Sequence, residues 1–228
     1  MTLLGELQKP PAPPSLLLKM GVVGALICAP ALLGIVCHEI LVLDNMKIGW
    51  AQFGLHPILM TISFGLLMPL AAISYRGLEG LLGISHDAAK GLHAFFMFAA
   101  VVCAVLGVID MWIVHDRAKG SEFHFISIHS WVGMMVLVAS VLQWVSGLSV
   151  FYLPASPKWL RRSWLPAHVA LGSFSLFGGV AAIALGILSF DYAHGLQPAM
   201  YHTSEQALAP NPSARPHSRT QGWTPAEL

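Results

Sequence analysis

Residues Leu92–Val114 read LHAFFMFAAVVCAVLGVIDMWIV, a membrane-length apolar run with His93 at its second position. An α-helix rises about 1.5 Å per residue, so about 20 such residues cross the hydrocarbon core of a bilayer. Four more windows of this kind occupy Met20–Leu43, Ala51–Tyr75, Phe125–Leu153 and Leu165–Phe190. Hydrophobic residues make up 56% of the chain and charged residues 10%, whereas a soluble domain carries roughly 25% charged residues. The sequence therefore predicts an all-α integral membrane protein, a helical bundle with five transmembrane helices. The near balance of 12 Lys+Arg against 11 Asp+Glu, with no basic run, excludes nucleic acid as a partner and leaves membrane lipid as the surroundings.

The polar residues collect in the connections Asp44–Trp50, Arg76–Gly91, His115–His124 and Pro154–Trp164. Connections this short favour antiparallel neighbours in a bundle. Residues 1–19 are expected to form a tail without a cleavable signal, 20–190 the membrane domain, and 191–228 a polar, proline-rich disordered tail. Up-down threading puts Lys9, Lys19, Arg76, Lys90, Lys158, Arg161 and Arg162 on one side, and Lys47, Arg117 and Lys119 on the other. The excess of Lys and Arg on the first side places the N-terminus in the cytoplasm. Cys28, Cys37 and Cys103 fall inside apolar windows and read as packing residues. No Cys-x-x-Cys-His is present, so any haem is held without a covalent link.

Four histidines, His56, His93, His129 and His168, each stand near one end of a different apolar window, spaced by 37, 36 and 39 residues. Alternate threading brings His56 and His129 to one membrane face and His93 and His168 to the other. A lone histidine in a membrane helix can be a hydrogen bond between helices. Four at consistent depths match the axial ligation of two stacked haems, each clamped by two imidazoles from facing helices. Iron with both axial positions filled has no open site for oxygen, and such a haem transfers electrons. The two layers are separated by roughly 15–20 residues, about 20–30 Å at helical rise. Gly91, Gly133 and Gly172 lie two to four residues from a ligand on its own helix and are read as making room for a porphyrin face. His194, His202 and His217 in the tail are read as solvated bystanders.

Several segments resemble the cytochrome b561 family. They are Phe53-Gly54-Leu55-His56-Pro57-Ile58-Leu59-Met60, Ser127-Ile128-His129-Ser130-Trp131-Val132-Gly133, Gln143 to Gly147, and Pro166-Ala167-His168 with Gly172. Tyr75-Arg76 and Lys90-Gly91-Leu92-His93 also look like that family, and the likeness covers roughly residues 20–190. The resemblance implies two non-covalent haem b groups, with His56 and His129 on one iron and His93 and His168 on the other. It further implies an enzyme that takes single electrons from cytoplasmic ascorbate. These electrons pass to monodehydroascorbate or a ferric chelate across a vacuolar, vesicle, endosomal or plasma membrane. A homodimer is compatible with it.

Arg76, Lys90, Arg161 and Arg162, with Lys158, are expected to gather above the cytoplasmic haem. Such a cluster attracts a small anion such as ascorbate, although the positive-inside rule alone also produces it. On the far side His115 matches by position a family histidine associated with substrate, and His124 is its rival. The family has six membrane helices. Here the sixth would follow Phe190, where the chain carries the polar tail instead. A quinol-fed haem carrier and a haem-poor regulatory partner of full-length relatives are the alternative functions.

Overall fold

The computed structural model describes residues 15–43, 46–118, 124–153 and 156–193, and among these its elements are all helical. In chain order they are α1 (Leu16–His38), α2 (Leu55–Met60), α3 (Met68–Ile73), α4 (Glu79–Leu82), α5 (His86–Ala118), α6 (Ile128–Gly147) and α7 (Lys158–Ala193). Wider π-helical turns extend or join them at Glu39–Leu43, Thr61–Leu67, Ser74–Leu78 and Leu148–Tyr152. Among the described residues five stretches are long and apolar enough to cross a membrane: Lys19–Leu41, Leu55–Ile73, His86–Arg117, Ile128–Tyr152 and Lys158–Ser189. Numbered one to five, these spans coincide with the five apolar windows and make the chain a multi-pass membrane protein. Of the expected tail 191–228, the first three residues belong to α7; its remainder from 194, with its three histidines, and residues 1–14 lie outside the described residues.

Several boundaries differ from the sequence expectation: the helix of the third span runs on through residues 115–118, that of the fifth runs to Ala193, and the second begins at Leu55. His86–Gly91 and Lys158–Trp164, assigned to connections, belong to helices three and five of the membrane set. Polarity marks where a helix leaves the lipid and not where it ends. Ser85 opens the third span, its Oγ accepting the Ala88 N–H at 3.2 Å. The fourth span opens on a reciprocal cap, in which Ser127 Oγ accepts the Ser130 N–H and Ser130 Oγ accepts the Ser127 N–H, each at 3.2 Å. Two orphan backbone donors are satisfied at once, which fixes the helix start one residue before His129.

The second span is interrupted by prolines and π turns. Pro57 falls in the first turn of α2, where its missing N–H costs nothing, and Thr61 Oγ1 donates to Pro57 O at 2.8 Å. Pro69 falls in the first turn of α3, directly after the π turn Thr61–Leu67. Midway through the bundle Phe64, Met68, Ala71, Met97, Ala104, Val136 and Leu137 form a buried apolar cluster. Gly178 and Gly179 let the fifth span close on it: a Cβ on Gly178 would stand 2.7 Å from Val136, and one on Gly179 would collide with Phe64. Small residues at such crossings let helix backbones approach, the usual means of packing in lipid.

Candidate functional site

The structure pairs the four histidines across the bundle as their depths predict. His56 and His129 have ring centroids 6.0 Å apart with planes at 89°. His93 and His168 are 6.3 Å apart with planes at 64°. Each pair joins alternate spans, two with four and three with five.

A second set of contacts runs between neighbouring spans. His56 Nδ1–H donates to Gly107 O at 2.9 Å, and His93 Nδ1–H to Ala71 O at 2.8 Å, so spans two and three orient each other's rings. His129 Nδ1–H donates to Ala182 O at 2.8 Å, and His168 Nδ1 lies 3.0 Å from Gln143 Nε2, so spans four and five do the same. A carbonyl oxygen can only accept, so Nδ1 must carry the proton in His56, His93 and His129. In the neutral ring this tautomer leaves Nε2 unprotonated, the form in which an imidazole binds a metal.

The pair spacing tests whether these residues suit a haem. A metal–imidazole bond is about 2 Å, and the ring centroid lies about 1 Å beyond the nitrogen, so two imidazoles on one metal have centroids about 6 Å apart. Both pairs meet that distance, three of the four rings are turned so that Nε2 is left for a metal, and the residues present fit haem b. A Cβ on Gly91 or Gly133 would meet nothing within 4 Å. At Gly172 a Cβ would stand 2.9 Å from Gln143 Nε2, so the missing side chain makes room for that amide.

Comparison with known proteins decides the family. Residues 55–192 match the family model described as eukaryotic cytochrome b561. The chain belongs to the cytochrome b561 family. It is 33% identical over 136 residues to the mouse lysosomal membrane ascorbate-dependent ferrireductase CYB561A3, covering 60% of this chain and 55% of that protein. Its identity to the Xenopus laevis plasma membrane ascorbate-dependent reductase CYBRD1 is 32% over 142 residues, 60% of this chain and 49% of the relative. With the rat CYBRD1 it shares 32% over 160 residues, 68% and 54% of the two chains. The matches thus span about half the length of these relatives. Membership in the cytochrome b561 family implies haem b as the cofactor.

The other residues singled out from sequence are placed unevenly. Lys90 Nζ sits 5.6 Å above the Tyr152 ring, and Arg161 Nη2 donates to Leu153 O at 3.4 Å. Both cations therefore converge on the C-terminal end of the fourth span. Arg162 is exposed beside Arg161, and the Arg76 side chain lies outside the described residues. At the other end His115 and His124 rings are 5.5 Å apart. His124 is stacked on Trp112 at 3.8 Å and bonded to Asp116 Oδ1 at 3.0 Å.

Sequence reading missed Asp110, which is 0% exposed within the third span and whose Oδ1 accepts the Ala51 N–H. Ala51 has φ +60°, a left-handed backbone stabilised here by that bond, in the loop leading to His56. An acid inside an apolar window was the available signal. Tyr152 and the role of Gln143 were missed as well, because neither contact has a local sequence period.

Proposed function

We propose that this cytochrome b561 moves single electrons across a membrane from ascorbate to monodehydroascorbate or ferric iron, through two haem b groups. The carrying observation is the double set of histidine contacts, with both pairs at metal-bridging distance and three rings fixed with Nε2 free. His56 and His129 would hold one haem, and His93 and His168 the other. When bound, haem b would supply one-electron carrier chemistry.

The chain's own residues supply the rest. Lys90 and Arg161, with Arg76 and Arg162, make the His93/His168 end attractive to the ascorbate anion. The Lys and Arg asymmetry supports a cytoplasmic position for that end and for the N-terminus. Trp112, His115 and His124 form an aromatic, imidazole-rich face at the opposite end, suited to the acceptor. One turnover oxidises one ascorbate to monodehydroascorbate with release of a proton. On the far side it reduces one monodehydroascorbate, which takes up a proton, or one ferric ion to ferrous. The relatives' names, ascorbate-dependent reductase and ferrireductase, support both ends of this scheme.

The test is haem per chain on the detergent-purified protein, with spectra before and after ascorbate. Two b-type haems, both reduced, are expected, and one of them is lost in His168→Ala together with fast reduction by ascorbate. A wild-type chain without haem, or with haem that ascorbate leaves oxidised, would sink the proposal.

A further inference from the structure

Three of the four histidines give Nδ1–H to a backbone carbonyl, and only His168 faces a side-chain amide. Gln143 Nε2 is 3.0 Å from His168 Nδ1 and 2.7 Å from His168 O. The contact to His168 O requires an amide N–H, since a carbonyl has no proton to give. If Nδ1 also accepts from that amide, the ring proton sits on Nε2, the nitrogen that iron needs. This pair of hydrogen bonds and ligation through Nε2 exclude each other. Gln143 has the means to resolve the conflict. It is 4% exposed, its Oε1 has no hydrogen bond among the described residues, and it lines a cavity of about 500 Å³ with Trp164, Leu171 and Phe174. The amide has a spare acceptor and room to turn.

We infer that Gln143 is the positioning residue of His168: its carbonyl oxygen turns onto Nδ1–H when His168 binds iron, which fixes the tautomer and lowers the reduction potential of that haem. The inference rests on the reading of His168 as a haem ligand. An acceptor on Nδ1–H makes the imidazole a stronger donor and so favours the ferric state. Backbone carbonyls do this for the other three rings and cannot be removed by substitution. The His93/His168 haem is therefore the one whose potential a side chain sets. Gly172 belongs to the same device, because a methyl there would stand 2.9 Å from Gln143 Nε2 and displace the amide.

The experiment is an equilibrium redox titration of the full-length, haem-loaded chain, with electron paramagnetic resonance of the oxidised haems. The potential missing from His168→Ala identifies the haem concerned. A wild-type haem content unchanged by His168→Ala would overturn the ligand assignment itself. With that assignment intact, Gln143→Met should raise this one potential by about tenfold in the reduction equilibrium, ~59 mV for one electron. The His56/His129 haem should stay where it is. Gly172→Ala should shift the same potential the same way, and the double variant should move no further than Gln143→Met alone. If Gln143→Met sheds a haem, Gly172→Ala carries the comparison by itself. An unchanged potential, a shift in the other haem, or additive shifts in the double variant would each overturn the role of Gln143.

Discussion

The His129 ring lies against Gly186, a residue of the neighbouring span: a Cβ at Gly186 would be 3.0 Å from His129 Cε1 and 3.2 Å from Nδ1. That missing side chain lets Nδ1–H reach Ala182 O, one turn earlier on the same helix. Gly147 serves His168 in the same way, 2.9 Å from its Cε1. Spans two with three, and four with five, thus form two hairpins, each orienting its own two rings. Under the proposed function a shared metal at each histidine pair would tie one hairpin to the other. Orientation is built within a hairpin, and in the proposed function ligation would fall to the gap between hairpins.

Gly186→Ala should push the His129 ring off Ala182 O. The lost hydrogen bond is worth about 1 kcal/mol, and the displaced ring no longer meets His56 squarely. The haem assigned to the His56/His129 pair should be partly lost, while the other haem keeps its spectrum. Haem content of purified Gly186→Ala decides this, and full occupancy of both sites would show that the contact does not matter.

Ser127→Ala removes half of the reciprocal cap at the start of the fourth span. Loss of such a cap costs about 1 kcal/mol, and for a chain of this size that is about 2–4 °C in Tm. The first turn carries His129, so fraying there should also loosen the ligand. Thermal unfolding in detergent is the measurement. Ser130→Ala should have a smaller effect, because Ser127 Oγ still accepts the Ser130 N–H.

Asp110 holds the loop before His56 through the Ala51 N–H. Asp110→Leu leaves that half-buried donor without its acceptor, at a cost of about 1 kcal/mol, whereas Asp110→Asn keeps an oxygen in place. The Leu variant should be less stable and bind less haem at the His56 end, with the Asn variant close to wild type. Equal behaviour of the two variants would show that the hydrogen bond to Ala51 contributes nothing.

The five spans could be read from composition because lipid imposes a length and an apolarity on every crossing helix. The pairing of His56 with His129 and of His93 with His168 followed from depth alone, since up-down threading fixes which ends share a face. The partners behind the rings were not accessible in that way. Gly107 O, Ala71 O and Ala182 O are backbone atoms, and any residue type supplies a carbonyl. The contact between Gly172 and the Gln143 amide was hidden as well, because position along a helix does not say which neighbour a residue faces. Helix ends were misplaced for a similar reason: Lys158, Arg161 and Arg162 mark the edge of the lipid, while the helix runs on through them.

Lys90 offers the most direct test of which end receives the donor. Its ammonium sits over the Tyr152 ring, three residues before His93 in sequence and next to the Arg161 contact with Leu153 O. Replacing it reverses a charge at the mouth without touching a histidine. Lys90→Glu should raise the KM for ascorbate by about tenfold, because the field that concentrates a small anion is lost there. Both haems should remain, with kcat changed by less than about twofold, since uniform binding is what has been removed. Added salt should narrow the gap between variant and wild type, as screening weakens attraction and repulsion alike. Steady-state rates against ascorbate at two ionic strengths measure all of this. An unchanged KM would place the donor somewhere other than the Lys90 and Arg161 end.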